Sequence, residues 1–390
     1  MPNSPRHPFA ARLPSLTGLR FIAALLVFAF HATWRSNYIT GSAGEVLGKV
    51  FANAGSYGVT FFFVLSGFVL TWSARPNDTA PRVWRRRFVK IFPNHLVTFA
   101  MAAALMLITA QHFVHLDTFA GLFLVQAWVP DMTVPTAMNP VSWSLSCELF
   151  FYLCFPALLW ALNRVPVRAL WALAGSLAAL TVLAPVAAQH LIGGVPLPPI
   201  ADGSLSFEQI WFVYFFPPVR ALEFVLGMVT ARLMCEGVWP RLALLPALLI
   251  AVGGYAINSN VPYLYGTGGM AAVWLTPLVA AAADTDRHGT KSPFRGKTLV
   301  RLGELSFAFY MVHGLVITYA HTWFVASGQP SAGARGGILL AAFTVSLLLA
   351  HLLFTLVESP AVRRFSTARL RRPGLTPVIP DPQKALEVKE

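Results

Sequence analysis

Between Leu16 and Trp34 the sequence reads LTGLRFIAALLVFAFHATW, an apolar run long enough to cross a bilayer that carries Arg20 and His31 within it. Both side chains are costly in hydrocarbon, so their presence asks for a reason beyond filling space. Eleven residues separate them. At ~100° per residue they share one helix face, roughly 16 Å apart along the axis. A guanidinium suits a phosphate-bearing ligand, although Arg20 lies near the start of the run, where it could also snorkel to headgroups. An imidazole suits a general base or proton relay near neutral pH. The plainer alternative for His31 is a histidine packed between helices.

A carboxylate comes from NPVSWSLSCELFFYLCF, where Ser144, Glu148 and Tyr152 recur every four residues on roughly one face. Inside a membrane Glu148 must be paired or protonated. It either forms a structural ion pair, or orients an imidazole, or acts as base itself. His313, in LGELSFAFYMVHGLVI, is a second intramembrane histidine. Arg220 and Glu223, three residues apart behind Pro217-Pro218, either neutralise each other or line a cavity opened by the proline break. The segment PRVWRRRFVKIFP gathers Arg82, Arg85, Arg86, Arg87 and Lys90, suited to headgroups or to a polyphosphate. Ser66 and Gly67 place small residues among aromatics, a pattern for close helix approach. No spacing supports a metal site. Cys147, Cys154 and Cys235 form neither a disulfide framework nor a CxxC pair.

The elements that must position these groups are membrane helices. Across 390 residues, 56% are hydrophobic and only 12% charged, with a mean hydropathy of +0.61. That profile predicts an all-α, polytopic helix bundle. Ten apolar segments can be drawn, at about 16–34, 57–74, 88–110, 141–162, 168–189, 210–234, 241–257, 266–283, 299–325 and 336–358. The stretch 112–129 reads as re-entrant or interfacial. Counting aqueous segments from the N-terminus, the odd ones hold 24 lysines and arginines and the even ones three. Ten spans with both termini cytoplasmic give that alternation under the positive-inside rule. The net charge of +13 is therefore mostly topology, plus attraction to anionic headgroups. No zinc finger, RNP sequence or basic zipper is present, which excludes nucleic acid as the partner. Residues 1–15 read as a cytoplasmic segment, retained because no small-residue cleavage site follows. Residues 16–360 form the membrane domain, and 361–390 a polar, Pro-rich, disordered cytoplasmic tail.

Taken together, these stretches resemble the acyltransferase 3 family of integral membrane acyltransferases. The matching pieces are R-x10-H (Arg20, His31), YGVTFFFVLSGF, RRRFVKIFP, WSLSCELFFY and ELSFAFYMVHG, in order over nearly the whole chain. The resemblance implies transfer of an acyl group, commonly acetyl, from cytoplasmic acyl-CoA to a hydroxyl of a carbohydrate-like acceptor. Acyl-CoA would be a co-substrate, with no permanently bound cofactor and no metal. It further implies His31 as catalytic histidine, Arg20 as its partner and Glu148 as the family's acidic position. Arg85, Arg86 and Arg87 are expected to hold the CoA phosphates, and Ser66, Trp143, Ser144, Tyr152, Arg220 and His313 to line the site. The opening RLPSLTGLRFIAALLVFAFH also resembles the macrolide O-acyltransferases of this family, which implies a macrolide or similar glycosylated acceptor and a bacterial plasma membrane. A cell-surface polysaccharide or glycolipid is the alternative acceptor, and a sugar or lipid transporter the alternative of another class. Many relatives carry an added hydrolase domain; a short tail here implies direct delivery to the acceptor. Helix directions put His31 in the outer half of the bundle, which suits an acceptor from outside better than one made in the cytoplasm. The mechanism expected is that His31, assisted by Glu148, takes the acceptor's hydroxyl proton as it attacks the thioester. An acyl-histidine intermediate is the other route, and oligomeric state is not legible.

Overall fold

The long apolar runs contain few breakers, so each closes its backbone hydrogen bonds as a helix, the form that bilayer-spanning chain can adopt without a barrel. The computed structural model describes residues 13–35, 38–75, 78–197, 203–326, 328 and 330–365. Most of the expected segments 1–15 and 361–390 lie outside these residues. Among the described residues the fold is all-helical, with one isolated β-bridge and no strand.

In chain order the helices are α1 (Pro14–Phe30), α2 (Gly41–Phe51), α3 (Ala54–Trp72), α4 (Ala80–Ile108), α5 (His115–Leu122) and α6 (Trp143–Leu162). They continue with α7 (Leu170–Leu191), α8 (Phe207–Tyr214), α9 (Pro217–Cys235), α10 (Leu244–Ser259) and α11 (Tyr263–Thr267). The last are α12 (Ala271–Arg287), α13 (Lys297–Ala320), α14 (Ala332–Leu353) and α15 (Ser359–Phe365). Among the described residues nine helical stretches are long and apolar enough to span, and α10, at 16 residues, is the short tenth. The ten predicted segments correspond to them one by one. At ~1.5 Å per residue α10 covers about 24 Å, less than a ~30 Å hydrocarbon core.

The bundle centres on α3 and α9, whose crossing is made of bare backbone. A Cβ on Gly67 would run into the Phe224 carbonyl oxygen, and one on Gly227 into that of Val64. Each helix thus presents a glycine to the other's main chain, the small-residue contact that lets membrane helices pack without a hydrophobic drive. Because the obstructing atoms are backbone, the helices must separate to admit any larger residue. Gly67→Leu is expected to lower the melting temperature in detergent by more than 10 °C and to cut membrane accumulation severely. Unchanged melting would show that the crossing is looser than described.

The 112–129 stretch, expected to be re-entrant or interfacial, is short and irregular. It forms α5 and a 3-10 turn at Gln126–Trp128, and the chain then runs irregularly to the start of α6. Several of the buried polar groups here and just beyond bond to protein. Gln126, fully buried, donates to Ser142 Oγ at 3.1 Å, and buried Asn139 donates to the Met311 carbonyl at 2.9 Å. Trp211 Nε1 donates to the Ala127 carbonyl at 2.9 Å. These bonds tie the start of α6 to α8 and α13. Three helix ends turn π-helical, at His31–Arg35, His321–Ala326 and Phe354–Glu358. Such turns are frequent where a side chain must be re-aimed.

Candidate active site

A partly open cavity lies among α1, α3, α4, α6 and α13. Its walls are mainly apolar, with Phe62, Phe63, Val69 and Phe307 among them, and its polar groups are few and convergent. Arg20 enters from α1, Ser66 from α3, Arg87 and Lys90 from α4, Ser144, Glu148 and Tyr152 from α6, and Tyr310 from α13. Concave, mostly apolar space with a few aimed polar groups is the usual form of a ligand site.

Along α6 the four-residue spacing aligns Ser144, Glu148 and Tyr152 on one face, and all three reach the cavity. Tyr152 Oη donates to Glu148 Oε2 at 3.0 Å. With its proton so committed, it accepts from Ser66 Oγ, also at 3.0 Å. The Arg87 guanidinium lies over the Tyr152 ring at 5.8 Å, within cation–π range. Among the described residues no carboxylate is within salt-bridge reach of Arg20 or Arg87. Lys90, by contrast, pairs with Glu358, which is itself buried and receives Asn94 Nδ2 at 2.6 Å. The cavity therefore carries two cations with no ion-pair partner facing one carboxylate, and its polar end attracts anions.

The three consecutive arginines part company. Arg87 lines the cavity, whereas Arg86 forms a two-bond clamp on Asp78 at 2.7 and 2.8 Å and Arg85 is exposed. The Arg86 hydrogen bonds hold the Asp78 carboxyl below its ordinary value. The stability from that clamp is thus present above the ordinary carboxylate range and is lost as pH falls through the lowered value. Asp78→Asn is expected to cost at most about 1 kcal/mol at neutral pH, and less in high salt. A thermal scan at two ionic strengths measures it.

His31 does not line this cavity. It sits where α1 passes into its π-helical turn, half-buried, with Nδ1 2.9 Å from the Val27 carbonyl oxygen and 3.3 Å from His313 Nε2. The two rings lie 5.1 Å apart, nearly edge to face. His313 is fully buried against Phe309 and Phe28. Between the pair and the cavity stands Tyr310, one turn before His313. Its hydroxyl meets Ser144 Oγ at 2.9 Å and its ring meets Phe62 at 5.9 Å. Counting ~1.5 Å per residue from His313 to Tyr310 and from Ser144 to Glu148 places Glu148 about 10 Å nearer the cavity mouth than the histidines. Direct assistance of His31 by Glu148, expected from the sequence, is not what the geometry brings together. The reason is that α6 begins deep in the bundle, behind the irregular run 123–142, so Glu148, its sixth residue, falls well below His31.

Two further expectations part from the cavity. Trp143 is buried against Phe63, Tyr214 and Phe215, behind the wall. Arg220 is wholly buried, paired with Glu223 at 3.1 Å, with Thr60 Oγ1 at 3.2 Å. That is mutual neutralisation by an i, i+3 pair, in a layer behind the site. Asn94, Glu358, Phe62 and Tyr310 were not singled out from sequence as site residues, and Lys90 was named only within the basic segment. Only the i, i+3 spacing of Arg87 with Lys90, and of Tyr310 with His313, signalled any of them.

The Acyltransferase domain family, acyltransferase 3, matches residues 13–353. Acyltransferase MdmB of Streptomyces mycarofaciens is 38% identical over 389 residues, 96% of this chain and 97% of the relative. O-acetyltransferase OatA of Staphylococcus aureus is 24% identical over 394 residues, 92% of this chain and 57% of the relative. Putative O-acetyltransferase SACOL0978, from the same species, is 23% identical over 94% of this chain and 60% of its own length. No solved structure matches.

Proposed function

The chain belongs to the acyltransferase 3 family of integral membrane acyltransferases, and on that premise we propose that it moves an acetyl-type acyl group from acyl-CoA to a hydroxyl of a macrolide or similar glycosylated metabolite. One observation carries the reading. A cavity runs from Arg87 and Lys90, past Arg20 and Glu148, to Tyr310 and Ser144, and ends about one helical turn short of His31 and His313. The charge alternation of the sequence sets the Arg87 end on the cytoplasmic side, where acyl-CoA is found. Phosphates suit Arg87, Lys90 and Arg20, and the apolar walls suit an extended pantetheine arm. The thioester then lies near Tyr310, with the Phe62–Tyr310 contact displaced so that it meets His31.

In this scheme His31 takes the proton of the acceptor hydroxyl as its oxygen attacks the thioester carbonyl. The C–S bond breaks as the ester C–O bond forms, and the proton returns to the departing CoA sulfur. Ser144 and Tyr310 are placed to donate to the developing oxyanion. Glu148, held by Tyr152, keeps the inner cavity from excess positive charge. The acceptor approaches His31 from the outer half of the bundle. A bacterial plasma membrane is the setting, in keeping with relatives from Streptomyces and Staphylococcus.

The test is incubation of membranes with labelled acetyl-CoA and a panel of macrolides and glycans, with the product identified by mass. An acetylated macrolide is the expected outcome; an acetylated glycan alone would replace the acceptor, and no acetylated product at all would end the proposal. The cationic mouth makes a separate prediction. Arg87→Ala raises KM for acetyl-CoA about tenfold, in keeping with the loss of a charge-assisted contact. Arg85→Ala and Arg86→Ala leave it within twofold. Equal effects at all three positions would mean diffuse surface charge and no defined phosphate contact.

A further inference from the structure

His313 makes no contact with the cavity, yet it is a fully buried polar side chain at the heart of the bundle, and its hydrogen bonds have a direction. Its Nδ1 lies 2.8 Å from the Tyr310 carbonyl oxygen and 3.3 Å from that of Phe309. Carbonyl oxygens only accept, so His313 Nδ1 carries the proton and, in the neutral ring, Nε2 carries the lone pair. That Nε2 is 3.3 Å from His31 Nδ1, which also lies 2.9 Å from the Val27 carbonyl oxygen. Both of these groups facing His31 Nδ1 are therefore acceptors. The proton of neutral His31 belongs on Nδ1, shared between them, and its Nε2 is left as the basic nitrogen. The opposite assignment would set bare nitrogen lone pairs against three carbonyl oxygens in a buried place, each a costly unmade bond.

We propose that His313 is a positioning residue for His31, its Nε2 accepting the His31 Nδ1 proton and so fixing the ring in the tautomer whose Nε2 receives a proton. The inference rests on His31 being the base of the acyl transfer proposed above. In the transfer step His31 Nε2 takes the hydroxyl proton, and the Nδ1–H bonds to His313 and Val27 hold the resulting imidazolium until the proton passes to the departing thiolate. The role resembles that of any acceptor placed behind a catalytic imidazole, here a neutral nitrogen and a backbone carbonyl where a carboxylate would be costly to bury. The stack of His313 on Phe309, at 10° between ring planes, and its two carbonyl contacts keep Nε2 aimed.

Three substitutions separate this role from simple packing. His313→Phe keeps ring volume and removes both nitrogens. His313→Gln offers an amide oxygen near the place of Nε2. His313→Asn reaches the backbone carbonyls but not His31. With acetyl-CoA and whichever acceptor the panel identifies, His313→Phe and His313→Asn should lower kcat about 100-fold, with KM for both substrates within twofold. His313→Gln should stay within about fivefold of the wild type. Melting temperature in detergent establishes that folded protein is compared. Should the phenylalanine chain fail to accumulate, the glutamine and asparagine chains decide the matter between them. Wild-type kcat in folded His313→Phe or His313→Asn, or glutamine as inactive as asparagine, would overturn the assignment. Either result beside an inactive His31→Ala sinks only the role of His313, whereas full activity in His31→Ala sinks the proposed base itself.

Discussion

Chains carrying His31→Ala should accumulate in membranes as the wild type does and transfer acetyl groups roughly 10³-fold more slowly, if at all. The expected size is that of a lost general base, 10²–10⁴-fold. Accumulation is spared because His31 is only half-buried and lies at the π-helical end of α1, where a smaller side chain leaves no sealed void. Binding is spared because the cavity proposed for the CoA end, lined by Arg20, Arg87 and Lys90, does not include His31. Affinity for acetyl-CoA, read by competition with free CoA, should therefore stay within twofold while turnover collapses. That split is the signature of an interaction made in the transition state alone. His31→Ala protein that is abundant, folded and fully active would remove the mechanism, and an abundant chain that no longer binds CoA would move His31 into the donor site.

The spans were legible because two independent signals agreed. Hydropathy drew ten segments, and the sorting of lysine and arginine between alternate loops left no room for an eleventh. The α6 face was legible too, since Ser144, Glu148 and Tyr152 are spaced for one side of a helix and all reach the cavity. What sequence concealed was depth. His31 and Glu148 both stand inside apolar runs, but where α6 starts depends on the fold of residues 123–142, held in place by Gln126 and Asn139. No periodicity announces that. The arginine trio illustrates a different lesson. Three consecutive helical residues point about 100° apart, so at most one could face the site with full effect. Helical geometry favoured Arg87 with Lys90 over the row of three. Glu358 was invisible for a third reason, since its partner Lys90 is 268 residues earlier and only tertiary packing joins them.

Arg20 gives the last and most discriminating prediction, because activity and stability should move in opposite directions. It lines the cavity with no carboxylate in salt-bridge reach among the described residues, so its charge is held for something that arrives. Removing an unpaired cation from a low-dielectric wall relieves desolvation, while removing a ligand's counter-charge costs transition-state and ground-state binding. Arg20→Met, near in volume and apolar, should lower kcat/KM for acetyl-CoA by about 10²–10³-fold, or roughly 3–4 kcal/mol of lost stabilisation. In the absence of ligand the same chain should melt no lower than the wild type and up to several degrees higher. Saturating CoA should raise the wild-type melting temperature by mass action and leave Arg20→Met nearly unmoved. Arg20→Lys separates charge from shape. An ammonium keeps the sign but loses the planar, forked donor set, so it should recover no more than a tenth of the activity. If Arg20→Met instead melted well below the wild type and lysine restored both stability and rate, Arg20 would be a structural counter-charge for Glu148 and Glu358. The donor would then have to be placed by Arg87 and Lys90 alone.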